Sequence, residues 1–193
     1  MYSKQYFLSG WGSILSPILG IYASQISGHL NNNSYESIAT NTLSSSQSSI
    51  TFSSLGSFKH LQLRSMCFGS NNQENLYIRF NSDSGSNYAR HYLLGDGSTA
   101  SASATAPDTG GVFSNTSTST SPYVSVTDIL DYADSNKFKT IRALSGRDTN
   151  GAGDVTLRSS LWRSTSAVTS ITIFAGAGTL SSGSQFALYG IKG

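Results

Sequence analysis

Short apolar runs recur along this chain with polar residues between them, at the two-residue period of strands that cover one face. Leu76-Tyr-Ile-Arg-Phe80 places Leu76, Ile78 and Phe80 inward and Tyr77 and Arg79 outward. Leu61-Gln-Leu-Arg64 alternates in the same way, as do Ile171 and Ile173. Near the C-terminus Phe186, Leu188 and Gly190 alternate with Ala187, Tyr189 and Ile191, and the sequence stops two residues later. That strand has no room for a further connection, so it is expected to pair with strands made earlier and to close a sheet. The pattern predicts strands over 35–43, 49–54, 59–68, 75–81, 88–95, 111–116, 122–130, 137–146, 154–162, 168–175 and 184–191. Ile129, Leu130 and Ala133 also sit at helical spacing; a strand ending near Ile129 and followed by a turn is preferred to a short helix.

The links carry turn chemistry. The stretches 81–87, Gly95-Asp-Gly97 and Thr149-Asn-Gly-Ala-Gly153 are rich in residues that accept positive φ or bond their own backbone. Ser98 to Gly111 is Ser-, Ala- and Thr-rich and longer than an ordinary connection, so it is expected to be a functional surface loop or a mobile one. Many short strands with short links and no α/β rhythm predict an all-β antiparallel sandwich, in its most plausible form a jelly roll.

Residues 1–33 read differently. Lys4 is their only charged residue, and Phe7, Leu8, Trp11, Ile14, Leu15, Ile18, Leu19 and Ile21 make them apolar, while Gly10, Gly12, Pro17, Gly20 and Gly28 interrupt the run. The longest apolar stretch is about half the ~20 residues a spanning helix needs, so membrane insertion is not expected. A proline in the apolar part and no small-x-small site after it argue against a signal peptide. The segment is predicted to be an N-terminal arm, packed on its own domain or anchoring the chain through those eight residues to another subunit. Asn31-Asn-Asn33 would be its hinge, and 34–193 the sandwich.

Charged residues are only 11% of the chain, which leaves Ser, Thr, Asn and Gly to supply its polarity and excludes disorder of the charged type. A net charge of +2 with scattered basic residues gives no stripe for nucleic acid. The single cysteine, Cys67, lies in an apolar run and reads as a small buried side chain.

Chemistry is sparse. His29, His60 and His91 share no metal-ligand spacing, and no Gly-x-Ser-x-Gly turn occurs. The acids lie mostly in turns, and no pair suited to glycoside hydrolysis is visible. Asp148, Asn150 and Asp154 set oxygen side chains around glycines, like part of a calcium loop that lacks its distal glutamate; a plain glycine-rich turn is the preferred reading. No cofactor is expected. Tyr88, Tyr92, Tyr123 and Trp162 are the candidate glycan or surface contacts, because their rings offer flat apolar area and a hydrogen-bonding group. Trp162 reads equally well as a core or layer-capping residue.

Several stretches are familiar in combination: 35–40, Ser49-Ile-Thr-Phe-Ser-Ser54, His60-Leu-Gln-Leu-Arg64, 77–88, Lys137-Phe-Lys-Thr140, Leu161-Trp162, 167–172 and 184–191. Their order and spacing resemble small β-rich virion proteins of tailed bacteriophages, and Leu19-Gly-Ile-Tyr-Ala-Ser-Gln-Ile-Ser-Gly28 resembles the leader that precedes that domain. The resemblance implies a non-enzymatic particle component present in many copies, with other capsid or tail proteins and copies of itself as partners, as a homotrimer. It implies a tail-fibre or adhesin-type appendage contacting host surface glycans, with capsid decoration as the alternative. From another class, a free carbohydrate-binding or glycan-degrading module remains the rival.

Overall fold

In the computed structural model, residues 34–118 and 120–193 are described; the predicted arm and its eight anchoring residues lie outside them. Twelve strands form there: β1 (Tyr35–Thr42), β2 (Ser49–Ser53), β3 (His60–Cys67), β4 (Asn75–Phe80), β5 (Tyr88–Gly95), β6 (Ala100–Asp108), β7 (Gly111–Asn115), β8 (Tyr123–Leu130), β9 (Lys139–Asp148), β10 (Gly153–Trp162), β11 (Ser170–Ala175) and β12 (Gln185–Ile191). They make an eight-stranded sheet in the order β1-β12-β3-β8-β9-β10-β5-β6 and a four-stranded sheet in the order β2-β11-β4-β7, with antiparallel pairing throughout. The described residues form an all-β sandwich.

The core follows the alternation read from the sequence. Leu76, Ile78 and Phe80 on β4 and Ile171 and Ile173 on β11 meet Leu61, Leu63, Phe186 and Leu188 from the large sheet, all fully buried. Each such side chain contributes roughly 1.5–3 kcal/mol on leaving water. The C-terminal strand β12 pairs on one side with β1 and on the other with β3, so it sits inside the large sheet and joins the first strand to the third. After β8 the backbone turns, with Asp131 at φ 49°, and no helix forms.

One expectation is corrected. The predicted loop 98–111 contains β6, which pairs with β5 from Gly95↔Ala100 to Tyr88↔Asp108. Its Ala-Ser alternation carries too little apolar area to announce a strand, and pairing supplies what the side chains do not. β6 forms one edge of the large sheet and β1 the other.

The chain changes sheet at nearly every step. β1, β3, β8 and β12 lie in the large sheet and β2, β4, β7 and β11 in the small one, while the hairpins β5–β6 and β9–β10 both extend the large sheet beyond β8. The β9–β10 hairpin turns at Asn150-Gly151, both at positive φ (60° and 111°), as a two-residue turn matched to strand twist requires.

Candidate functional site

The predicted glycan contacts are mostly interior. Tyr88, Tyr123 and Trp162 are buried, which removes them as surface residues. The Tyr88 hydroxyl accepts from Phe80 N at 3.0 Å, and burial pushes its phenol up to about 12. Trp162 packs edge-on against Phe80 and donates Nε1 to Asp83 Oδ2 at 2.7 Å, the layer-capping role. Tyr123 bonds Asp154 Oδ2, and burial first, then that bond, raises its phenol. Tyr92 is half-buried with the Arg158 guanidinium over its ring. Tyr88, Tyr123 and Trp162 can bury because each polar tip finds an internal partner. No cluster of exposed aromatics remains at these four positions.

Asp148, Asn150 and Asp154 lie at the β9–β10 turn. Asp154 pairs across the hairpin with Arg147 and points inward to Tyr123. Asp148, one residue on from Arg147, is exposed on the other face, where its carboxylate accepts Asn150 N at 2.7 Å. The two acids therefore face opposite sides of the sheet, and the loop is a hairpin turn. Among the described residues no three His, Cys, Asp or Glu side chains are placed to hold a metal. His60 Nδ1 accepts from Asp131 N at 2.9 Å, and His91 is exposed on β5.

What the sequence reading missed is the outer face of the large sheet. On β8, β9 and β10 the expected polarity is inverted. Ser125, Thr127, Ser145, Thr156, Arg158 and Ser160 turn inward and are buried beneath β7. Some bond one another or the small sheet: Ser65 to Ser125 at 2.6 Å, and Arg158 to Asn115 at 2.7 Å. Meanwhile Leu93, Val124, Val126, Leu144, Val155 and Leu157 turn outward and are 45–60% exposed.

Strand register sets these residues in two rows. One reads Ala102, Leu93, Leu157, Leu144, Val126 across β6, β5, β10, β9 and β8, and ends at the charged Arg64 on β3. The next reads Ala100, Gly95, Val155, Gly146, Val124, and continues to Met66 on β3. The glycines leave a trough of about 750 Å³ along the second row, lined by Gly95, Val124, Val126, Leu144, Gly146 and Val155. On one side the face gives way to a polar row, His91, Ser159, Arg142 and Asp128. On the other side stand Asp148 and Asp96, the latter held well below the carboxylate range by the backbone and hydroxyls of Thr99 and Ser98.

No family model, curated protein or solved structure matches this chain. The geometry therefore carries the functional argument. The two rows together form a continuous exposed apolar face with no aromatic ring in either row and with Gly95 and Gly146 in the second.

Proposed function

We propose that this chain is a non-enzymatic structural protein of a tailed-phage particle, and that its sandwich is an assembly module. The carrying observation is the inverted polarity of β8–β10. A strand that keeps Thr156 and Arg158 inside while presenting Val155 and Leu157 outside has its phase set for an outer partner. The sequence resemblance to virion proteins points the same way.

Topology supports that reading. If the two hairpins β5–β6 and β9–β10 are set aside, the remaining strands form β1-β12-β3-β8 and β2-β11-β4-β7, and every consecutive pair crosses between sheets except β4 and β7, which are neighbours in the small one. That order supports a jelly-roll reading, an architecture of viral capsid domains and lectins. The hairpins are then additions to one sheet, and they contribute most of the apolar face.

In this reading residues 1–33 attach the chain to the particle and copies assemble through the sheet. The burial of Tyr88, Tyr123 and Trp162 weakens the argument for a glycan-binding tail tip and favours the second placement, a capsid decoration protein. Two measurements test the proposal. A reconstruction of whole particles should show the sandwich on the head or the tail with its large sheet covered. Leu144→Asp, at an exposed position, should abolish incorporation while the isolated chain still folds. Normal incorporation of that variant would refute the assembly role.

A further inference from the structure

The outward residues of β9 are Arg142, Leu144, Gly146 and Asp148 in order. Read backwards, this series is its own complement. A charge meets the opposite charge, and a large side chain meets an empty position. A second copy of the same surface supplies the reversed series.

We propose that the apolar face is a homotypic interface, in which two copies stack their large sheets face to face about a two-fold axis parallel to the rows and midway between them. This rests on the reading of the face as an assembly surface and names its partner. The operation lays each strand over the same strand of the other copy. On β9, Leu144 enters the recess at Gly146 of the second copy, and Arg142 stands opposite its Asp148. On β5, Leu93 likewise fills the recess at Gly95. On β10, Leu157 meets Val155, and on β8, Val126 meets Val124. Such a contact is isologous, as two-fold pairs require.

Size and charge agree with a pair. Six strands from β6 to β3, at about 4.8 Å each, make the face about 29 Å wide, and the two rows with their flanks make it about 20 Å deep. Two such faces bury about 1,200 Å² together, the lower end of the range for specific association. Arg142, with Asp128 beside it, stands on one flank, and Asp148 and Asp96 stand on the other. Among the described residues neither Arg142 nor Asp148 is in an ion pair. A two-fold axis running along β9 instead would set Arg142 against Arg142 and Gly146 against Gly146.

Gly95 offers the sharpest test. A Cβ built there meets nothing within 4 Å, and its backbone lies outside the left-handed region, so a larger side chain leaves the single sandwich undisturbed. Sedimentation velocity of the full chain over a concentration series should show a reversible association step. Gly95→Leu should weaken that step tenfold or more by filling the recess, although it adds apolar surface. Arg142→Asp and Asp148→Arg should each weaken it, and the double variant should restore it, because the charges are then exchanged in register. Association that strengthens in Gly95→Leu would mean unspecific adhesion and overturn the pairing. So would failure of the double variant to recover. If Leu144→Asp abolishes particle incorporation yet leaves self-association untouched, the face belongs to a different subunit: the homotypic pairing falls and the assembly role stands. If neither changes, both fall.

Discussion

Phe58 occupies the space that a side chain at Gly190 would need: a Cβ there would stand 2.3 Å from both Cδ2 and Cγ of the ring. Gly190 faces inward on β12, opposite Glu36 of β1 and Leu61 of β3. The missing side chain lets Phe58 close one end of the core. Tyr132 fixes that segment, donating its hydroxyl to Gly56 O at 2.7 Å and accepting from Phe58 N at 3.2 Å. Gly190→Ala should therefore destabilise the sandwich by about 1–3 kcal/mol, the usual range for overpacking. Denaturant unfolding measures it. In a Phe58→Ala background the same substitution should cost much less, and strict additivity of the two would refute the contact.

The bond from Trp162 to Asp83 makes stability depend on acid. Burial of Asp83 acts to raise its carboxyl, but donation from Trp162 Nε1, the Asn87 amide and Gly85 N outweighs this and leaves it below its ordinary 3.8. A carboxylate with a depressed folded pKa contributes stability that is present above the unfolded value and lost as pH falls through the folded one. The wild-type protein should therefore lose stability below pH 3.8 more steeply than Asp83→Asn, by up to one proton. Equal slopes in the two proteins would dismiss the role given to Asp83.

These two contacts show which parts of the structure a sequence can carry. Leu76, Ile78, Phe80, Ile171 and Ile173 were legible because alternation and burial coincide there. Alternation gives a period but not a phase, so the strand over 154–162 was legible while the outward turn of Val155 and Leu157 and the inward turn of Thr156 and Arg158 were not. In the polar inner layer beneath β7, Arg158 finds Asn115 and Ser125 finds Ser65 on β3, partners from other strands that no local signal records. Tyr88 and Trp162 misled for a related reason: an amphipathic ring looks like a surface residue until the partner of its polar tip is known. β6 was hidden by its alanines and serines, whose pairing with β5 depends on a neighbour rather than on themselves.

Cys67 reports on opening of the sandwich. It is fully buried on β3, and burial pushes its thiol up to about 12, against a weaker opposing effect of Ser184. The nucleophile is the thiolate, so the folded protein should resist thiol reagents at neutral pH and react only on unfolding. A raised folded pKa also means stability present below the ordinary value of 9.0 and lost as pH rises beyond it. Labelling as fast in the native protein as in denaturant would contradict the burial.

Lys139 closes the opposite end of β9 and is fully buried although it carries an ammonium group. Its Nζ donates to three carbonyl oxygens, Asp134 at 2.5 Å, Lys137 at 2.6 Å and Thr165 at 3.2 Å. One side chain thus ties the turn after β8 to the segment between β10 and β11. Methionine would fill the same channel and donate nothing. Because each buried group left without a partner costs about 1–3 kcal/mol, Lys139→Met should destabilise the protein by about 3 kcal/mol or more. Arginine, longer and forked, should not rescue it, since the three oxygens surround a point and not a plane. Hydrogen exchange should locate the damage, with faster exchange at Asp134 N, which bonds Asp131 O at 3.0 Å, before that of the β4 and β11 core. Uniform acceleration across the sandwich would mean that Lys139 supports the fold as a whole and does not act as a local tie.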